Sequence, residues 1–420
     1  MPRDVAHATA FCYLFRVQHD VSAAPRLRLA LVTGSLPLGG STTFLCNFAG
    51  ELVRRQIPVE VVSFEKENPL ASDFARLQIP VVALDQRRAI YEDRALLVLR
   101  HLNEFRPTAV LANLSPSSFE VLRYVPAGVF RIGIGQSDDP QVYATLRRYA
   151  GHMDLLAVVS RRMAQIAKTF SEFRRVPVAC LPYGVPLAEA APAARDFQRP
   201  LRILYLGRLD REQKRVHLFP EIFARLASSG VPFHWTVAGD GPERAALERA
   251  MTSPRPGQTV SFPGRIDYGE VPRLLAGHDI FLLASDYEGL PLSLLEAMGA
   301  GLVPVVSDLE SGIREVVDET SGRLVAPGNT AGFAEAIAAL HGQRGELRRL
   351  SQNARERVRH DFSVAAMTDR WLQALPASPN SEVRWPERWT IKPIITAPDP
   401  WRYSPPIRLL RRLLIRLRPA

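Results

Sequence analysis

DIFLLASDYEGLPLSLLEAMGAGLVPVVSD, running from Asp279 to Asp308, is the stretch whose reading decides the fold. Asp279 to Ala284 is a short apolar run bounded by polar residues, the pattern of a strand buried in a parallel sheet. A loop follows it. Pro291 suits the first turn of a helix, where its missing N–H leaves no bond unmade, and Gly301 suits that helix's end. Val303 to Val306 is then the next strand. In a strand-loop-helix-strand unit, ligands sit where strand ends meet the helix N-terminus, whose free N–H groups and positive dipole end attract a phosphate.

Two carboxylates flank that N-terminus. Glu288 lies in the loop and Glu296 about a turn and a half into the helix, so both can face one cleft from different depths. Carboxylates repel phosphate but accept charge-assisted hydrogen bonds from hydroxyl groups. The ligand implied is a phosphate flanked by polyols, a description that a nucleotide sugar fits.

With the preceding strand, the Glu-Gly-Leu-Pro-Leu loop (288–292) and the Glu-Ala-Met-Gly-Ala-Gly helix end (296–301), the stretch resembles the donor site of retaining glycosyltransferases of the GT-B fold, family 4 in particular. That family's pattern is Glu, seven residues, Glu. The resemblance extends over much of the second half of the chain and implies an α/β architecture of two Rossmann-like, doubly wound domains facing a central cleft.

Working outward, the 420 residues exceed one ordinary core and suggest two domains. The 46% apolar share is that of a globular protein, and no run approaches the roughly 18 apolar residues of a membrane span. Cys12, Cys46 and Cys180 are few and far apart, which predicts a reducing cytoplasm and no disulfide framework. The nine histidines show no metal-ligand spacing, so no structural metal is expected. Residues 1–25 read as an extension, with a signal peptide as the alternative, and 26–183 as a first domain, acceptor-side by the resemblance, with alternating strands and helices. An Ala- and Pro-rich linker spans 184–200, and 201–361 form the donor domain. Residues 362–375 form a helix that, in GT-B proteins, crosses back onto the first domain. A Pro- and Trp-rich tail, 376–420, ends in a basic amphipathic helix from Ile407 to Arg418. Much of the net charge of +10 lies in this tail, which argues against nucleic acid as a partner.

Three further motifs carry chemistry. LYLGRLDREQK, Leu204 to Lys214, places Gly207 at a strand end and Arg208 and Lys214 in the loop after it, where two cations can neutralise a diphosphate. Lys is rare in this Arg-rich chain, standing only at 66, 168, 214 and 392, which makes Lys214 informative. AGDGP (238–242) and PGRI (263–266) supply Gly239, Gly241 and Gly264 for tight turns and close backbone approach. Gly39 and Gly40, in GSLPLGGS (34–41), lack the G-x-G-x-x-G spacing of a dinucleotide loop, and no Tyr-x-x-x-Lys follows, so NAD binding is not expected. GQSDD (135–139) follows a strand where many relatives carry a His facing the sugar; Asp138 is read as capping the helix that starts near Pro140, with contact to the sugar or acceptor as the alternative.

The resemblance implies roles for these positions. Arg208, Lys214 and Glu288 form the catalytic set, the two cations on the diphosphate and Glu288 on the sugar hydroxyls. Gly207, Gly239, the N–H groups of Gly289, Leu290, Pro291 and Leu292 as far as they carry them, and Glu296 on the ribose belong to donor binding. Arg265 and Ile266 bound the base, and Gly39 and Gly40 reach the donor from the first domain. The expected activity is transfer of a sugar from a nucleotide-diphosphate donor, UDP- or GDP-linked, to an acceptor hydroxyl with retention, without cofactor or metal. The acceptor is a glycan or lipid-linked glycan of bacterial envelope polysaccharide or lipopolysaccharide synthesis. The tail helix suits an anionic membrane surface, giving a cytoplasmic protein peripheral on the inner face. An idle nucleotide-binding or scaffold homologue and a sugar-nucleotide epimerase stay open as alternatives.

Overall fold

The computed structural model describes residues 27–65, 68–84, 91–113, 115–187, 199–251, 256–376, 383–390 and 409–410. The extension, the linker beyond residue 187 as far as 198, and the basic helix except Leu409 and Leu410 lie outside them. Two parallel sheets organise the chain. The first contains β1 Leu29–Thr33, β2 Val59–Ser63, β3 Val81–Ala83, β4 Ala109–Asn113, β5 Phe130–Gly135, β6 Leu155–Val158 and β7 Val178–Cys180, in the order β3-β2-β1-β4-β5-β6-β7. The second contains β8 Leu201–Leu206, β9 Phe233–Ala238, β10 Gln258–Gly264, β11 Ile280–Leu283, β12 Val303–Ser307 and β13 Arg323–Val325, in the order β10-β9-β8-β11-β12-β13.

Around the first sheet lie helices α1 Gly40–Arg54, α2 Ala71–Arg76, α3 Tyr91–Phe105, α4 Pro116–Leu122, α5 Pro140–Tyr149 and α6 Arg161–Thr169. Around the second lie α7 Phe219–Ser228, α8 Arg244–Ala250, α9 Val271–Ala276, α10 Leu292–Gly299, α11 Gly312–Val316, α12 Thr330–Gly342 and α13 Arg344–Asp361, and α14 Val364–Ala374 closes the series. Short apolar strands explain the layers: β1, β4 and β11 are buried along their whole length, as strands covered by helices on both faces must be.

Each sheet reverses direction once. In the first, β1 lies between β2 and β4; in the second, β8 lies between β9 and β11. At such a reversal successive helices leave for opposite faces, and the crevice beyond the strand ends is where doubly wound folds bind ligands. Both crevices open toward the boundary between the sheets, because the loop after β1 touches the start of α10: a Cβ placed on Gly40 would lie 3.6 Å from Leu292 Cβ.

α14 ties the halves together. Trp371 is fully buried and its ring lies 5.1 Å from that of Phe48 and 6.0 Å from that of Phe44, both on α1. Arg55 pairs with Asp369 at 2.5 Å. Val185 forms a parallel bridge with Ser363, so the chain leaving the first sheet runs beside the chain returning to it. In the tail, Trp385 is buried and Val383 and Trp389 pack against the core. No helix among the described residues is long and apolar enough to cross a membrane.

Candidate functional site

The loops after β8 and β11 meet at the second crevice. Asp210 Oδ1 accepts from the backbone N–H groups of Gln213 (2.8 Å) and Lys214 (3.0 Å), folding the first loop back on itself. The N–H of Asp286 donates to Gln213 O at 2.9 Å, which locks the two loops together. Lys214 Nζ consequently reaches Glu288 Oε1 at 2.5 Å, and Ser285 Oγ donates to the same oxygen at 2.7 Å. Glu288 is only 5% exposed. Its other oxygen receives a long 3.5 Å contact from Gln213 Nε2. The two residues expected to serve phosphate and sugar separately therefore form one buried ion pair. Arg208 stands at the exposed rim, its Nε 2.9 Å from Asp210 Oδ2 and a terminal nitrogen donating to Gln213 Oε1 at 2.7 Å.

Pro291 is the residue before α10 and not its first turn, so the helix opens at Leu292, with Leu290 and Leu292 buried beneath it. The expected shift of Pro to the first helical position fails by one residue because its ψ of 117° is extended. Gly289 is required by contact: a Cβ there would sit 2.7 Å from the backbone O of Gln136, in the first domain. From α10, Glu296 is half-buried by surface area, yet protein closes around its carboxyl densely enough that desolvation pushes it up to about 8. Its charge in turn adds to the burial that raises Tyr268. Tyr268 Oη donates to Asn47 Oδ1 on α1 at 2.7 Å, and Asn47 Nδ2 donates to Gly184 O at 3.1 Å. This interdomain chain was not anticipated from the sequence.

On the far side of β8 the strand ends crowd. Gly239, at φ +133°, would place a Cβ 1.8 Å from Gly207 O, so only glycine fits; its N–H donates to Gly264 O at 2.8 Å. Arg265 and Ile266 follow, the former exposed and the latter half-buried against the core. Gly39 lies just before α1 with open space around its Cα hydrogen.

The first domain presents β4, β5 and the loops after them. Asp139, not Asp138, caps α5, accepting from the N–H of Gln141 at 2.7 Å; Asp138 instead accepts from Tyr143 Oη at 2.7 Å. Arg162 bridges Asp138 at 3.9 Å and, across the boundary, Glu310 at 3.1 Å. Glu315 on α11 reaches the start of α6, accepting from the N–H of Arg161 at 2.5 Å.

Residues 189–357 match the model of the glycosyl transferases group 1 family. S. aureus TarM, solved in a complex that includes UDP, superposes with a TM-score of 0.69 over 83% of this chain and 99% of its own at 12% identity, which establishes the GT-B fold. WcaL of Escherichia coli K12, provisionally named a colanic acid biosynthesis glycosyltransferase, is 34% identical over 198 residues, 45% of this chain and 48% of WcaL. The amylovoran biosynthesis glycosyltransferase AmsK of Erwinia amylovora is 37% identical over 162 residues, 37% of each chain. The chain thus spans half or less of the length of these curated relatives.

Proposed function

We propose that the protein is a retaining glycosyltransferase that moves a sugar from a nucleoside-diphosphate donor to an acceptor hydroxyl. The observation that carries this reading is the buried Lys214–Glu288 pair set beside the N-terminus of α10, at 2.5 Å, in a crevice faced by Gly40 of the other domain. A diphosphate suits the Lys214 ammonium and the α10 N–H groups. The sugar hydroxyls suit the second, weakly bonded oxygen of Glu288, the ribose hydroxyls suit Glu296, and the base suits the Arg265–Ile266 edge. Arg208 at the rim supplies a second cation. In the step proposed, the bond from the sugar's anomeric carbon to the diphosphate breaks and one to the acceptor oxygen forms. The acceptor proton passes to the leaving diphosphate, whose charge the cations stabilise. Close apposition of the domains excludes water as a competing acceptor.

The names of WcaL and AmsK support an envelope-polysaccharide glycan, free or lipid-linked, as acceptor. Exposed Leu409 and Leu410, within the Arg-rich tail, support attachment to an anionic inner leaflet. The test is donor hydrolysis across UDP-, GDP- and ADP-sugars with and without EDTA, beside Glu296→Ala and Lys214→Ala. Release of one nucleoside diphosphate, insensitive to EDTA and lost in both variants, is the expected result. Tight nucleotide binding without turnover would leave a nucleotide-binding homologue instead.

A further inference from the structure

Two passages of chain connect the domains, and they cross side by side. Val185, leaving the first sheet, donates its N–H to Phe362 O at 2.9 Å, and Val364, which opens the returning α14, donates to Val185 O at 3.1 Å. Gly184 stands at this crossing, packed so closely that a Cβ would lie 2.5 Å from Ser363 O. Any turning of one domain against the other pivots here, because both covalent connections run past this point.

Asn47 of α1, only 6% exposed, ties the crossing to the donor domain. Its Nδ2 donates to Gly184 O at 3.1 Å while its Oδ1 accepts from Tyr268 Oη at 2.7 Å. Tyr268 lies two residues beyond Ile266, at the edge assigned above to the base, and crosses the domain boundary to reach α1. Its phenol is set among groups of both domains: Glu296 of α10, Cys46 of α1, and Asp73 and Arg76 of α2 all bear on it electrostatically. The ties from Glu310 and Glu315 end on α6, whereas the Tyr268 tie ends on the residue that holds the crossing.

A hydrogen bond between domains exists only while they meet; once they part, water serves both groups. Its net value therefore goes to the closed arrangement, as about a fivefold change in the ratio of closed to open molecules. We infer that Tyr268 is a positioning residue: by bonding Asn47 it holds the base edge of the donor domain against α1 and the pivot, and so sets the arrangement in which the first domain covers the donor. It acts through the domains and not on the nucleotide. The inference rests on the transferase reading above and adds to it the contact that fixes the working arrangement of the cleft.

The test uses the full chain carrying Tyr268→Phe, Asn47→Leu or both; the first keeps the ring and removes only the hydroxyl. X-ray scattering of the ligand-free protein reads the arrangement, calorimetry with UDP, GDP and ADP reads nucleotide affinity, and hydrolysis of whichever donor sugar the parent turns over reads kcat. Tyr268→Phe is expected to enlarge the radius of gyration and to lower kcat by up to about fivefold, with the nucleotide Kd within about twofold of the parent. In the Asn47→Leu background the same substitution should change nothing further, because the partner is gone. A raised Kd with kcat kept would place Tyr268 on the nucleotide, and a lower melting temperature with scattering and kcat unchanged would leave it structural. Either overturns the inference, as does an effect of Tyr268→Phe that persists without Asn47. Tyr268→Phe alone decides the matter if Asn47→Leu fails to fold. A parent that hydrolyses no donor sinks the proposed function, whereas a radius of gyration unmoved by Tyr268→Phe sinks only the tie.

Discussion

Glu296→Gln should stabilise the ligand-free protein at alkaline pH while weakening its hold on nucleotide. The carboxyl moves from an ordinary 4.5 to about 8 because burial disfavours its charged form. The folded state therefore keeps a proton that the unfolded chain has released, so stability falls as pH rises from about 4.5 to about 8 and is level beyond. Gln has no proton to lose and escapes this fall. At about 1.4 kcal/mol per unit, the shift bounds the cost above pH 8 at roughly 5 kcal/mol. Because Glu296 is half-buried and water can follow the charge, about 1–3 kcal/mol is the working figure. Urea unfolding of parent and variant from pH 5 to 9 measures it: the curves should converge near pH 5 and separate toward pH 9, the variant above. A gap independent of pH, or a parent that is the more stable at pH 9, refutes the reasoning.

Lys214→Met should leave Glu288 buried beside an apolar chain and cost about 3 kcal/mol, with Lys214→Met/Glu288→Gln recovering most of it in urea but not in donor hydrolysis. Gly239→Ala, forced against Gly207 O, should be insoluble or lose more than about 3 kcal/mol, as judged by expression and chemical unfolding. Burial lowers the His278 and His234 side chains from their ordinary range, so the unfolded state gains protons first on acidification. In the Glu296→Gln background, where the opposing carboxyl is gone, stability should fall as pH drops below about 6.5, less so with His278→Gln added, and a flat urea midpoint between pH 7 and 5.5 would exclude this. Glu315→Ala removes a carboxylate from the start of α6 across the domain boundary, and a larger radius of gyration by X-ray scattering is the expected sign of an opened cleft.

The β11–α10–β12 unit was legible because strand, loop and helix are local: an apolar run, a proline and a glycine specify them within thirty residues. The strand that follows shows it: Val303 to Val306 was expected, and Val303–Ser307 is observed. Contacts that depend on which loops the topology brings together were not. Lys214 and Glu288 are 74 residues apart, and only the adjacency of β8 and β11 makes them partners. The choice between Asp138 and Asp139 as cap turned on one residue of register, which side-chain type does not encode.

The candidate site is assembled from groups that folding alone would avoid. Glu296 is held where its charge is disfavoured, and an ion pair is largely withdrawn from water. Neither of these stabilises the domains, whose cohesion comes from continuous apolar strands and from the Trp371 cluster joining α14 to α1. The pairing of Lys214 with Glu288 is instructive in this respect. It holds both groups in place before any ligand arrives, so on the proposed reading a diphosphate would meet an ammonium already oriented. A sugar hydroxyl would meet a carboxylate oxygen held by its twin. The Asp286–Gln213 backbone bond keeps the two loops in register.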